Sequence, residues 1–307
     1  MGTTPAAQRV MIFEQLQWDA VNRAVTTLDG SAGKSVNVAK VLQALGGRPL
    51  AVGFLGGDRG RAIQKDLAGR EIATEFVEVG ADTRQCVTVI DRTAGTVTEL
   101  VEESARVESG DFDRLFSTIE RRLPGCAALV LSGTIAPGGP VAFYSECVRL
   151  ARQHGILTVV DASKAALADA LRARPDVVKP NQAELAATVR RVLPDEAAVI
   201  GALQELRDRG AGAVVITSGR EPVLAGDDQS VWRIANPAIK PLNPIGSGDA
   251  FTAAMTLRLA AGDDLGTACR WGAAAGAANA LTPMAGEVQL ETVRNLLEET
   301  DLERLSG

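Results

Sequence analysis

The chain is almost without histidine: His154 is the one copy in 307 residues. That rules out multi-histidine metal centres and leaves a Ser-His-Asp triad little to be built from. Its setting, Arg152-Gln153-His154-Gly155, reads as the polar end of a helix before a glycine stop. Cysteine is sparse too. Cys86, Cys126, Cys147 and Cys269 form no C-x-x-C pair, which sets aside zinc and redox motifs. Such scatter fits reduced, structural thiols in a cytoplasmic protein. There is no excess of positive charge: 32 Lys and Arg face 38 Asp and Glu, for a net charge of -6. General nucleic-acid binding needs the opposite balance, although a local basic pocket for a phosphorylated metabolite stays possible. No apolar run approaches the length of a membrane span without a charge. The start, Met1-Gly2-Thr3-Thr4-Pro5, lacks the basic region and apolar core of a signal peptide. Met1-Gly2 opens a myristoylation signal, but Pro5 and the lack of other anchor signals count against it. Chemistry must therefore run on carboxylates, Lys and Arg, and backbone donors.

What is present is a large apolar fraction, 46% of residues, enough for a sizeable core. From about residue 125 onward the pattern alternates strand and helix. Strands are expected at Ala127–Ser132, Leu157–Asp161, Asp176–Lys179 and Ala213–Thr217. Helices are expected at Pro140–Gln153, Lys164–Ala173, Gln182–Arg190 and Glu196–Arg209. Near-continuous apolar strands between amphipathic helices imply a mostly parallel sheet covered on both faces, an α/β class. Pro222–Ala225 and Gln229–Arg233 read as a pair of strands around Gly226-Asp227-Asp228. Three more helices are expected at Ala250–Ala261, Leu265–Leu281 and Leu290–Leu305. The first third differs. Val87–Asp91 and Val97–Val101 flank Arg92–Thr96 as a hairpin, and Glu75–Val79 is a further extended run. Together they suggest a small β-sheet lid, or else an ordinary antiparallel sheet edge.

The most informative stretch is Asn243-Pro244-Ile245-Gly246-Ser247-Gly248-Asp249 and the helix it opens. A glycine turn feeding a helix leaves backbone N–H groups free to hold an anion. An aspartate there is placed to take a proton from a hydroxyl that attacks a phosphoryl group; the plainer alternative is a helix cap. Gly33-Lys34-Ser35 suggests a P-loop, but the required first glycine falls at Leu28. What remains is a small-residue turn with Asn37 behind it, a ligand contact or a helix cap. In Lys179-Pro180-Asn181-Gln182-Ala183-Glu184, Asn181 and Glu184 can hold a hydrated Mg²⁺ or close a capping box. Thr83-Arg84 can offer a guanidinium fork to a phosphate.

These segments occur in an order that resembles the ribokinase-like (PfkB) carbohydrate kinases. Asp29–Gly46, Gly53–Asp58, Ser132–Pro137, Val160–Leu167, Lys179–Leu185, Val215–Gly219 and Asn243–Phe251 carry the likeness, which covers nearly the whole chain. The most specific parts are Pro244–Phe251 and Lys179–Leu185. Val21-Asn22-Arg23, Thr83-Arg84 and Thr98-Glu99-Leu100 resemble the 1-phosphofructokinase and tagatose-6-phosphate kinase branch. The resemblance implies one ribokinase-like domain over 1–307, with a β lid from about 8–28 and 75–101. It implies an ATP- and Mg²⁺-dependent kinase acting on a ketohexose monophosphate, a homodimer joined through the lid, and neither a nucleic-acid nor a membrane partner.

Position by position, the resemblance implies Asp249 as base and the N–H groups of Gly246, Ser247 and Gly248 as anion hole. Asn181 and Glu184 would organise Mg²⁺ through water. Gly33, Lys34, Asn37 and Gln8 would meet the sugar, and Arg84 its phosphate. Thr217, Ser218 and Gly219 would line the ATP phosphates and ribose, with Ala277 and Asn279 near the adenine. Departures cluster on the sugar side. Gln8 stands where the family has Asp, in Thr4-Pro5-Ala6-Ala7-Gln8, which makes a charge-assisted hydrogen bond neutral. Almost no chain precedes Pro5, so the family's first strand is expected to be a stub or to be lost. Ala32-Gly33-Lys34-Ser35 replaces Gly-Gly-Lys-Gly, Cys86 and Thr88 replace Asn and Lys, and Lys164 replaces a common Gly. They keep two other readings open: a kinase of an unphosphorylated sugar or nucleoside, and a catalytically degenerate sugar- or nucleotide-binding protein.

Overall fold

In the computed structural model residues 1–306 are described. The chain opens with β1 (Ala6–Phe13) and β2 (Thr26–Ala32), then α1 (Lys34–Ala44), β3 (Leu50–Leu55), α2 (Gly57–Gly69) and β4 (Ala73–Glu78). Next come β5 (Arg84–Asp91), β6 (Thr96–Val101), α3 (Ser109–Arg122), β7 (Ala128–Ser132), α4 (Phe143–Gln153) and β8 (Leu157–Asp161). Then follow α5 (Lys164–Ala170), β9 (Val177–Val178), α6 (Gln182–Val189), α7 (Glu196–Asp208) and β10 (Ala213–Ser218). The last elements are β11 (Glu221–Gly226), β12 (Val231–Ile234), α8 (Ser247–Ala260), α9 (Leu265–Ala280), α10 (Leu290–Glu298) and β13 (Leu302–Ser306).

The main sheet runs β13-β12-β11-β10-β9-β8-β7. Its parallel half, β7 to β10, is the expected set of apolar strands. Leu131, Val160, Val178, Val214 and Val215 are fully buried there, because helices cover both faces. β3 and β4 form a separate parallel pair. Met1–Gly2 lies between that pair and β7. The Met1 ammonium donates to Val130 O (2.8 Å), and Ser132 N–H donates to Met1 O. Gly2 N–H donates to Val52 O, and Gly2 bridges Gly53 in parallel. The stub expected before Pro5 is thus a single bridge that ties Met1–Gly2 to β7 and β3. Gly53 has to be glycine: a β-carbon would fall 2.1 Å from Gly2 O.

The lid is a four-stranded sheet, β2-β1-β5-β6. β1 runs antiparallel to β2 and parallel to β5, and the β5–β6 hairpin forms as expected. Two expectations fail. Glu75–Val79 does not join the lid: as β4 it pairs with β3, whose residues are buried from Ala51 to Leu55. The helix expected to reach Leu305 stops at Glu298, and Leu302–Ser306 turns back as β13 to pair with β12. Elsewhere the boundaries move by a few residues. The fourth helix starts at Phe143 rather than Pro140, and α8 starts at Ser247, inside the glycine turn.

α8 and α9 form the central helix pair. α9 is Ala- and Gly-rich, so it approaches closely: a β-carbon on Gly272 would meet the Phe251 ring at 2.9 Å, and one on Gly276 would meet Ser247 O at 3.1 Å. This approach seats α9 against the first turn of α8, and so against the glycine turn.

Candidate active site

The glycine turn is held by side chains behind it. Asn243 Oδ1 accepts from Ile245 N–H (3.0 Å), and Asn243 Nδ2 donates to Pro283 O (2.8 Å). Gly246 adopts φ +84, a left-handed conformation that disfavours a side chain. Ser247 N–H donates to Pro244 O, while Asp249 N–H and Ala250 N–H donate to Gly246 O. Gly246 N–H and Gly248 N–H have no protein acceptor among the described residues. These two N–H groups are free to meet an anion, as the sequence led one to expect; Ser247 N–H, expected beside them, is instead committed to Pro244 O.

Asp249 sits in this first helical turn, 6% exposed. One of its oxygens accepts from Asn37 Nδ2 at 2.7 Å. Burial raises its pKa to about 6 against the pull of Lys34, and Asp161 adds to the rise. Burial disfavours the charged form, and neighbouring lysines only partly restore it. Lys34, the first residue of α1, donates to Asp161 Oδ1 at 3.1 Å and lies 3.9 Å from Glu184 Oε1. Burial opposes its charge, but Asp161, Asp249 and Glu184 outweigh it and hold the ammonium protonated well beyond the usual range.

Sequence reasoning gave no role to Asp161 or Lys179, though both stand in segments that carry the family resemblance. Asp161 ends β8 and is 1% exposed; Lys179 follows β9 and is 3% exposed. Lys179 Nζ is 3.2 Å from Asp161 Oδ2, and Thr252 Oγ1 donates to the same oxygen at 3.0 Å. Burial alone would raise the Asp161 pKa, but the two lysines overcome it and keep the group ionised. One buried carboxylate therefore holds two ammonium groups beside the glycine turn, Lys34 from the start of α1 and Lys179 next to Gly248. A strand-end carboxylate in a parallel sheet was the available signal, since ligands gather at that edge.

Asn181 and Glu184 do form the reciprocal capping box: Glu184 N–H donates to Asn181 Oδ1 (2.8 Å) and Asn181 N–H to Glu184 Oε2 (2.9 Å). This leaves Glu184 Oε1 facing Lys34, so cap and ligand contact are compatible. Gly33 (φ +95), Lys34, Asn37, Gln8 and Arg84 border the same cavity of about 320 Å³ as Asp249 and Glu184. Three buried polar atoms in it lack a partner: Gln8 Oε1, Asn37 Oδ1 and Arg84 Nε. Unpaired buried polar atoms call for an explanation, and a polar ligand supplies one. Arg84 is fixed by donating to Thr4 O (3.1 Å) and Glu102 O (3.3 Å). Gln8 Nε2 donates to Thr88 Oγ1, and Gln8 pairs with Cys86 across β1 and β5. The three departures from the family pattern on the lid therefore lie side by side.

A second, open cleft of about 740 Å³ meets the first at Asn181 and Thr217. Ser218 and Gly219 line it, and Ser218 Oγ donates to Gln182 Oε1 at 2.7 Å. Ala277 and Asn279 lie apart from both clefts on α9, at 9% and 0% exposure. Asn279 latches the turn, with Nδ2 donating to Ile245 O and Oδ1 accepting from Gly286 N–H.

Residues 10–292 match the model of the pfkB family carbohydrate kinases. A tagatose-6-phosphate kinase of Staphylococcus epidermidis is 30% identical over 244 residues, 78% of each chain. The structure of phosphofructokinase-2 from Escherichia coli with fructose-6-phosphate superimposes with a TM-score of 0.86 at 28% identity, over 96% of both chains. A possible 1-phosphofructokinase from Thermotoga maritima shares the fold, with a TM-score of 0.90 at 24% identity over 99% of this chain and 98% of that one. With the matched residues spanning almost its full length, the chain belongs to the ribokinase-like PfkB family and is a carbohydrate kinase, a phosphotransferase acting on an alcohol group.

Proposed function

We propose that the chain transfers the γ-phosphoryl group of ATP to a hydroxyl of a ketohexose monophosphate, such as fructose 1-phosphate, fructose 6-phosphate or tagatose 6-phosphate, with Asp249 as the base. The observation that carries this reading is the buried Asp249 carboxylate in the first turn of α8, beside the free N–H groups of Gly246 and Gly248. In this scheme the substrate hydroxyl donates to the Asp249 oxygen that Asn37 leaves free. As the O–Pγ bond forms, the proton passes to Asp249 and the bond from Pγ to ADP breaks. The N–H groups, Lys34 and Lys179 stabilise the charge on the transferring phosphoryl. Asp249 then releases its proton to solvent.

The sugar would lie against Gly33, Lys34, Asn37 and Gln8, with its own phosphate on Arg84. The unpartnered Gln8 Oε1, Asn37 Oδ1 and Arg84 Nε support this placement. The nucleotide would occupy the cleft at Thr217, Ser218 and Gly219; Ala277 and Asn279, buried behind the glycine turn, would not touch it. Glu184 Oε1, which the capping box leaves uncommitted, and Asn181 suit a hydrated Mg²⁺ held mainly through ATP oxygens. Mg²⁺ bound there would neutralise charge on the β- and γ-phosphates. Among the described residues no helix is long and apolar enough to cross a membrane. The four free cysteines suit a reducing compartment, and we place the reaction in the cytoplasm. Trp18 and Val21 before β2, and Leu100 on the edge strand β6, are exposed on the lid and support a homodimer joined there.

An unphosphorylated acceptor is the second reading. The neutral Gln8–Thr88 pair favours it, as does the engagement of Arg84 with two carbonyls. ADP release measured against fructose 1-phosphate, fructose 6-phosphate, tagatose 6-phosphate and free hexoses decides between them. The proposal expects kcat/KM at least about 100-fold higher for one of the phosphates than for any free hexose. A free hexose turned over best would overturn it. Sugar binding with no turnover of any acceptor would favour the degenerate reading.

A further inference from the structure

Lys40 lies on α1, one turn beyond Asn37, and is 3% exposed. Its ammonium donates to Ala285 O at 2.7 Å and to Ser31 O at 3.1 Å, and sits 3.9 Å from Glu287 Oε1. No group in the proposed transfer scheme touches it, yet the two segments it ties together are the two sides of the site. Ser31 is the penultimate residue of β2, just before the Gly33 turn. Residues 285–286 back the anion hole: a β-carbon on Gly246 would fall 2.9 Å from Ala285 Cβ, and one on Gly286 would fall 2.7 Å from Asn37 Cα. Around Lys40 runs a ring of charges. Glu287 accepts from Arg70, Arg70 donates to Asp66, and Asp66 accepts from Ser31 N–H and its hydroxyl.

We propose that Lys40 is a positioning residue, a built-in cation that clamps the wall behind Gly246 to the sugar-side turn and so fixes the anion hole relative to Asn37 and Asp249. Burying this charge is costly. A lysine buried among carbonyls is poorly solvated: burial lowers its pKa to about 8, Glu287 opposes this, Arg70 adds to it, and Asp66 and Asp249 oppose it. A methionine of similar length would fill the space without that penalty. The ammonium nevertheless bonds one carbonyl on each side of the cleft, which no apolar side chain can do.

This inference rests on the anion-hole reading above, and the test separates the two. Lys40→Met is expected to lose at least about tenfold in kcat, with the KM for ATP and for the sugar phosphate each within about threefold. Lys40→Arg keeps a charge that does not titrate here, and is expected to hold kcat within about threefold at pH 7. Wild-type kcat should fall as pH rises through about 8, where Lys40 loses its proton; the Lys40→Arg profile should lack that limb. Lys40→Met within about twofold of wild type, or with its loss entirely in KM, overturns the proposal. If Lys40→Met does not fold, the pH profiles decide: an alkaline limb shared by wild type and Lys40→Arg, or absent from both, overturns it. Asp249→Asn is measured alongside. If it keeps turnover, the reading of the site fails; if it is inactive while Lys40→Met is active, only the role of Lys40 falls.

Discussion

Asp249 has a proton affinity suited to a base that must be empty at neutral pH and still accept a proton during transfer. As a base Asp249 would work ionised, so activity should be full from about pH 7 upward and fall as pH drops through about 6. A kcat/KM profile measures this, with a limb of unit slope on the acid side. Asn37→Ala removes a hydrogen bond that favours the carboxylate, and should move the limb upward by roughly half a unit to one unit. A limb at the ordinary carboxylate range would mean that Asp249 is not the titrating group. Arg84 offers a second check. Losing a charge-assisted bond to a substrate phosphate costs about 1.5–3 kcal/mol, so Arg84→Ala should raise the sugar-phosphate KM by roughly 10- to 100-fold. The KM for ATP should stay within about twofold, since Arg84 does not line the cleft at Thr217, Ser218 and Gly219. An unchanged sugar-phosphate KM would place the acceptor phosphate elsewhere. Asp249, Asn181 and Glu184 were singled out in the sequence by their motifs, and the structure brings all three to one cavity. Asp161 and Lys179 were not singled out, because neighbours along the chain do not disclose a pair joined only across the sheet.

The glycine turn and α8 act as a unit, and Gly246 is where that unit is most sensitive. An alanine there meets both a positive φ and the Ala285 side chain. Gly246→Ala should cost about 1–3 kcal/mol of stability and lower kcat by roughly 100-fold, read by denaturant unfolding and turnover. Loss of stability with unchanged kcat would separate the turn from the chemistry. At this scale the parallel half of the main sheet was legible, because apolar runs such as Val214–Ile216 between amphipathic helices admit little else. The partner of Glu75–Val79 was not, because an extended run does not state which strand it pairs with. The end of the last helix was missed for a related reason: Leu302 and Leu305 suit either a helix stripe or the edge strand they form. At Lys164, where the family resemblance had expected Gly, the backbone takes φ +55. The structure thereby explains the family preference, since a left-handed turn suits glycine.

At the scale of the whole molecule, the site is a meeting of distant segments. Gln8 and Arg84 come from the lid, Lys34 and Asn37 from α1, Asp161 and Lys179 from the sheet edge, and Asp249 from α8. The order of motifs along the chain made this assembly legible through family resemblance, while the distances between them came only with the fold. The lid leaves Trp18 90% and Leu100 57% exposed, and a pair of chains joined there would cover them. Light scattering is expected to give the mass of a dimer, and Leu100→Asp that of a monomer; a wild-type monomer at about 10 μM would count against a lid interface. If Asp249 removes the acceptor proton during phosphoryl transfer, the chemical step itself depends on its carboxylate. Single-turnover transfer from ATP to the best sugar phosphate, in wild type and Asp249→Asn with ATP binding measured in parallel, reads that step. The Asp249→Asn rate should be lower by at least about 1,000-fold with ATP affinity within about threefold. An Asp249→Asn rate within about tenfold of wild type would contradict that role of Asp249.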